Sequence, residues 1–147
     1  MFNRIVVGTD GSETATQAVK EAIDLARMAK STVEIVSAYE PVPQDRLKAE
    51  GEGISGDVAH AINPREDVSV KLDQAAAIAK KERVDVITHP REGDPADAIL
   101  DVAEENNADL IIVGNKGMTG AKRFLLGSVP NKVSHHAPCA VLIVRTT

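Results

Sequence analysis

Leu110-Ile111-Ile112-Val113-Gly114-Asn115-Lys116-Gly117 passes from four consecutive large apolar residues straight into a glycine-rich turn. A run that is apolar at every position has no polar face to turn outward. It predicts a strand covered on both sides. Gly127-Ser128-Val129 then opens a short helix over about 128–135, and Cys139–Val144 is a second continuous apolar run. Two such strands joined through a helix form the repeating unit of a parallel sheet.

Reading outward from this unit, the same alternation continues toward the N-terminus. Asp94-Pro95-Ala96-Asp97 has the form of a helix start, with Ile99, Val102 and Ala103 facing inward and Asn106-Asn107 suited to a left-handed cap. Val84–Thr88 reads as a strand. Asn63-Pro64-Arg65-Glu66 combines a cap, a first-turn proline and a capping glutamate, and a helix with Val68, Leu72, Ala75 and Ala79 on one face follows. Val33–Tyr39 reads as a strand, and Glu13–Lys30 as a helix with Ala15, Ala18, Val19, Ala22, Ile23 and Ala26 at helical spacing. Ile5-Val6-Val7 is the first strand and ends at Gly8-Thr9-Asp10-Gly11. This order predicts an α/β protein with a five-stranded parallel sheet and helices on both faces, in one domain over 1–147. The strands at Ile5, Leu110 and Cys139 are expected to be covered on both faces. Glu34, Ser37 and Asp85 mark the strands at Val33 and Val84 as less buried. Between Glu40 and Asn63, Pro41, Pro43, Gly51, Gly53 and Gly56 interrupt any periodicity, and a loop of that length is functional or mobile.

Composition narrows the function. The chain has 147 residues, 43% of them hydrophobic and 27% charged, with a net charge of −5. Phe2, Tyr39 and Phe124 are its only aromatics and there is no Trp, which argues against a reader that stacks bases. The acidic balance argues against binding a phosphate backbone, so no nucleic-acid partner is expected. No apolar run approaches the ~20 residues a membrane helix needs, and Met1–Ile5 lacks the form of a secretion signal. With Cys139 as the single cysteine, no intrachain disulfide can form. A cytoplasmic protein is therefore expected.

Two turns carry the candidate chemistry. The first is Val113-Gly114-Asn115-Lys116-Gly117, nine residues, then Gly127-Ser128-Val129. Glycine lets backbone approach a ligand closely, and the free N–H groups of a helix start favour an anion. A phosphate is expected against Gly117, Gly127 and Ser128, with Lys116, Lys122 and Arg123 adding cations; an ordinary solvated loop is the plainer alternative. The second turn is Asp10-Gly11-Ser12-Glu13, which fits an N-cap at Asp10 with Glu13 reaching back. Asp10 could also accept hydrogen bonds from a ribose or base, with Gly8 and Gly11 admitting the ligand. If the first and fourth strands are neighbours, Asp10 and Gly114 face each other at a topological switch point, where open α/β sheets bind ligands.

Gly114-x2-Gly117-x9-Gly127-Ser128 resembles the nucleotide signature of the universal stress protein family. Val7–Ser12, Gly127–Val129 and the ending Ala137–Val144 resemble the family as well. The resemblance implies a Rossmann-like sheet ordered 3-2-1-4-5 and a homodimer. It implies ATP or another adenine nucleotide, with Thr9 and Asp10 beside the adenosine and Ala38 offering backbone groups to the adenine. Val113 and Gly114 would border ribose and phosphates, and Gly117, Gly127, Ser128 and Val129 would hold the phosphates. Asn115 departs from the Ser or Thr common in the family. Pro130 removes one N–H from the helix start. Some relatives of this type favour cyclic AMP, which remains an alternative ligand.

Four histidines, His60, His89, His135 and His136, offer no metal-site spacing, so no structural metal is expected, although a divalent cation could accompany bound phosphates. His89 reads as a solvated strand-end residue and Cys139 as inert packing within its strand. Neither a Walker motif nor a nucleophile–base pair is present. The expected role is ligand binding, with slow ATP hydrolysis or a ligand-free interaction module as alternatives. Because the last strand of a 3-2-1-4-5 sheet is an edge, Cys139–Val144 is expected to pair antiparallel with a second copy.

Overall fold

The computed structural model describes residues 2–41, 64–115 and 126–146. Five strands alternate with four helices there: β1 (Arg4–Gly8), α1 (Glu13–Ala29), β2 (Thr32–Tyr39), α2 (Pro64–Lys81), β3 (Val86–Glu92), α3 (Pro95–Glu105), β4 (Leu110–Gly114), α4 (Ser128–His136) and β5 (Ala140–Val144). The sheet order is β3-β2-β1-β4-β5, and all four ladders are parallel. Val7 lies beside Ile35 on one flank and Ile112 on the other. β1 is thus the centre of the sheet, and its C-terminal end is where the chain order changes direction.

Pleating sends alternate residues to opposite faces, and two apolar layers result. Ile5, Val7, Val33 and Ile35 pack under α1 and α2, with Val19, Ile23 and Leu72. Val6, Val36, Ile111 and Val113 pack under α3 and α4, with Ile99, Val102 and Val133. Each such aliphatic side chain contributes ~1.5–3 kcal/mol on burial, which is why the apolar strands sit at the centre. Helix ends follow local chemistry. Asp94 caps α3 by accepting from the Asp97 N–H at 3.0 Å, Pro95 fills the first turn, and Asn107 beyond its end has φ 52°. Lys30 takes the left-handed position after α1 with φ 58°.

Three strand expectations need correction. β3 runs from Val86 to Glu92, not Val84–Thr88, because its backbone pairs with β2 as far as Tyr39↔Glu92. The polar residues His89 and Arg91 break the apolar pattern there but not the ladder. β2 is a buried strand, and Glu34 on it is 0% exposed. β5 is the reverse case: it begins at Ala140, leaving Cys139 outside it, and Leu142 and Ile143 are 43% and 40% exposed. An apolar run thus marks both a central strand and an uncovered edge. The Glu40–Asn63 loop lies outside the described residues from position 42 on, as do Lys116, Gly117, Lys122 and Arg123. No described helix is long and apolar enough to cross a membrane.

Candidate functional site

The β1–α1 turn is shaped by three side chains. The Asp10 carboxylate accepts the Ser12 N–H at 2.8 Å, and the Thr9 hydroxyl accepts the Gly11 N–H at 3.1 Å. Ser12, not Asp10, is the N-cap of α1, its hydroxyl accepting the Ala15 N–H at 3.2 Å. The chain needs two further residues to turn upward from the sheet, so Asp10 forms the bend that precedes the cap. Its second oxygen, Oδ2, has no hydrogen bond among the described residues. Gly11 makes the bend possible with φ 82°, under the aliphatic stem of Lys71. Gly8 is required for a different reason. A Cβ there would lie 2.5 Å from Ile99 Cδ1 and 3.1 Å from its Cγ1, so any side chain at this position forces Ile99 of α3 to shift.

Beside this turn a cleft opens at the C-terminal end of β1 and β4. It is lined by Gly8, Thr9 and Asp10 from the turn, Val36 and Ala38 from β2, Val113 and Gly114 from β4, and Val129 from α4. Seven of the residues expected to surround a nucleotide are therefore brought together: Gly8, Thr9, Asp10, Ala38, Val113, Gly114 and Val129. The cleft encloses about 710 Å³ when the solvent space of its open mouth is included. Thr14, Ala15 and Ala18 of α1 complete its floor with Pro95 and Ile99 of α3. The sequence reading missed these five. Ala15 and Ala18 sat on the inward stripe of α1, and their smallness was the signal that this stripe faces a space at its first turns. Nothing local marked Pro95 or Ile99, which reach the cleft through the sheet order.

Opposite Asp10 lies the start of α4. Gly127 precedes the helix with φ −59° and ψ 161°, and no side chain caps it. This φ is open to any residue, so Gly127 is not needed for a left-handed turn. Its N–H donates to the Asn115 carbonyl at 3.1 Å and is already engaged. The backbone N–H groups of Ser128 and Val129 remain as first-turn donors toward an anion. Asn115 does not line the cleft. Its side-chain oxygen accepts from the Thr146 N–H at 2.9 Å and the Thr146 hydroxyl at 3.1 Å, so the side chain points to the end of β5. Lys132 links α4 to α3, with Nζ 2.8 Å from Asp97 and 3.5 Å from Asp94. Asp97, first among its partners, holds the Lys132 pKa above its ordinary value. Lys116 and Gly117, expected beside the phosphates, lie outside the described residues.

Elsewhere, His89 is neither a strand-end residue nor solvated. It lies within β3, and its Nε2 is 2.9 Å from Oε1 of the buried Glu34. Glu34 Oε2 has no hydrogen-bond partner, and Arg4 Nη1 at 3.5 Å compensates its charge. Burial raises the Cys139 thiol pKa, and the Asp109 carboxylate raises it further, so little reactive thiolate forms. Among the described residues no three His, Cys, Asp or Glu side chains converge as a metal site would require.

The sequence pattern that defines the Universal stress protein family matches residues 1–145. A universal stress protein of Mycobacterium tuberculosis is 38% identical over 151 aligned positions, covering 99% of this chain and 98% of the relative. A universal stress protein solved in complex with cAMP superposes with a TM-score of 0.75 at 32% identity, over 99% of this chain and 98% of that one. A universal stress protein of Archaeoglobus fulgidus in complex with dAMP superposes with a TM-score of 0.66 at 26% identity, over 98% of both chains.

Proposed function

The chain belongs to the universal stress protein family, and we propose that it is an adenine-nucleotide-binding stress-response protein of the ATP type, acting in the cytoplasm as one domain. The observation that carries this reading is the cleft at the switch point of the sheet. Asp10 stands at its β1 side and Val129, in the first turn of α4, at the other. An adenosine fits the apolar floor of Ala15, Ala18, Val36 and Ala38, and its ribose hydroxyls suit the acceptor oxygen Oδ2 of Asp10. Phosphates suit the α4 start, where Ser128 and Val129 offer N–H groups and the helix dipole favours negative charge. Gly117 and Lys116 would close the phosphate side, as the family's glycine motif implies. A divalent cation, where one accompanies the phosphates, would be held chiefly by phosphate oxygens.

Binding without turnover is part of the proposal. Asp10 is the one titratable side chain among the described residues of the cleft, and one of its oxygens already holds the turn. Hydrolysis needs a group that orients and deprotonates a water, and the described residues of the cleft offer no second group for that task. Cyclic AMP is the second reading. It is favoured by the cAMP-bound relative, which aligns with nearly the whole chain, and by Pro130, which removes a first-turn donor that a longer phosphate chain would use. Self-association through β5 completes the proposal, since no further strand pairs with it among the described residues and Leu142 and Ile143 are exposed.

Calorimetric titration with ATP, AMP and cyclic AMP tests the assignment, with Asp10→Asn as the informative variant. Asn keeps an oxygen for the Ser12 N–H but loses the charge, so its melting temperature is expected to match the wild type. Its affinity is expected to fall about tenfold, equivalent to ~1.4 kcal/mol. No binding of any of the three by the wild type would remove the reading. A tenfold preference for cyclic AMP over ATP would replace the first reading by the second. Undiminished affinity in Asp10→Asn would leave Asp10 a purely structural residue.

A further inference from the structure

Asn115 is the point where the ends of three elements are tied together. It follows β4 directly, and its N–H donates to the Val144 carbonyl at the last residue of β5, at 2.9 Å. Its carbonyl accepts the Gly127 N–H at 3.1 Å. Its side-chain oxygen takes both Thr146 donors, at 2.9 and 3.1 Å. One residue therefore fixes where β5 ends and where α4 begins. Its neighbour Gly114 lines the cleft, as does Val129 two residues beyond Gly127. The Gly127 carbonyl in turn accepts the Asn131 N–H at 3.0 Å, the first bond of α4.

We propose that Asn115 is a positioning residue that couples the cleft to the C-terminal end of the β5 edge. Its backbone aims the α4 start at the ligand, and its side chain makes that aim depend on Thr146. The mechanism is geometric. The Asn115 backbone can hold Gly127 at a fixed distance only while its own orientation is fixed. Two bonds from Thr146 to a single oxygen supply that orientation from outside the cleft. Linkage runs both ways: a ligand that holds Gly114 and the α4 start in place also holds Asn115, and through it Val144 and Thr146. A surface that docks on the β5 edge is thereby sensitive to occupancy of the cleft. This inference rests on the nucleotide reading for the identity of the ligand, but not for the tie itself.

The test uses Asn115→Ala, Thr146→Val and the double variant, each titrated with ATP and with cyclic AMP. Thr146 lines no part of the cleft, so an effect of its substitution on affinity is one that a local contact cannot produce. Asn115→Ala is expected to weaken binding about tenfold, within the ~5–150-fold usual for coupled sites. Thr146→Val loses one of the two bonds and is expected to weaken it about threefold. The double variant is expected to bind no worse than Asn115→Ala, since Thr146 acts through Asn115. Full affinity in Thr146→Val, or simple addition of the two effects, overturns the proposal. Hydrogen exchange without ligand separates this outcome from failure of the nucleotide reading. Thr146→Val, the milder variant should Asn115→Ala fold poorly, is expected to speed exchange at the Gly127 and Asn131 amides severalfold. If the wild type binds neither nucleotide, the functional reading falls while this exchange effect still upholds the tie. Unchanged exchange at both amides overturns it.

Discussion

At the scale of single residues, similar sequence features turn out to have different physical causes. Gly8, Gly11 and Gly127 all fall in glycine-bearing turns near the cleft, yet only Gly11 adopts a left-handed φ. Gly8 is small because Ile99 occupies the space a side chain would need. Gly8→Ala is therefore expected to destabilise the protein by ~1–3 kcal/mol through overpacking. Ile99→Val deletes the Cδ1 atom in the way, so the pair Gly8→Ala with Ile99→Val is expected to recover part of that loss. Thermal denaturation of the two single variants and the pair checks this, and additive losses would show that Gly8 is required for another reason. Glu34 shows the same lesson for charge. It read as a surface marker, but His89 and Arg4 from the neighbouring strands make its burial tolerable. Pairing across strands cannot be seen in the residues beside Glu34 in the chain.

At the scale of elements, most starts and stops were legible locally. The α3 start at Asp94-Pro95 and the α2 face of Val68, Leu72, Ala75 and Ala79 lie where the sequence put them. The α1 cap moved from Asp10 to Ser12 because the turn needs Asp10 for its own bend. A long-range clamp fixes β1 at its other end. The Asp109 carboxylate, just before β4, accepts the Asn3 N–H at 2.7 Å and the Arg4 N–H at 3.1 Å. Partial burial pushes its pKa up, but those backbone donors outweigh burial and hold it below the ordinary value. A carboxyl with a depressed folded-state pKa stabilises the fold above its unfolded value of ~3.9. The contribution disappears as pH falls through the folded-state value. Asp109→Asn is expected to lower the melting temperature at pH 7, and its melting temperature should fall less steeply than the wild type's below pH 4. Parallel pH profiles of melting temperature for the two proteins would contradict this account.

For the whole molecule, β3 and β5 are the edge strands among the described residues, and they are of unlike character. β3 carries Pro90, which cannot donate to a further ladder, along with His89 and Arg91. β5 is Ala140-Val141-Leu142-Ile143-Val144, free of charge until Arg145. An uncharged, exposed edge invites pairing, and two such strands related by a two-fold axis would pair antiparallel. Sedimentation near micromolar concentration is expected to give a dimer for the wild type. Leu142→Lys is expected to give a monomer, with circular dichroism unchanged because Leu142 is already exposed. A wild-type monomer would eliminate β5 pairing. A Leu142→Lys dimer would move the interface elsewhere.

Alternating strands and helices, helix faces, the Asp94 and Asn107 ends and the convergence of the turns after β1 and β4 on one cleft followed from the sequence by itself. All but the last depend on residues a few positions apart, where periodicity, capping and proline chemistry act. Tertiary structure alone decided which apolar strand is central and which is an edge. Leu110–Val113 and Cys139–Val144 look alike in one dimension, and only the order β3-β2-β1-β4-β5 separates them. It also decided that Pro95 and Ile99 complete the cleft, that Glu34 meets Arg4 and His89, and that Asn115 turns to Thr146. All of these contacts join distant parts of the chain through the sheet. Burial and pairing depend on what lies across the fold, and that information is absent from any short window of residues.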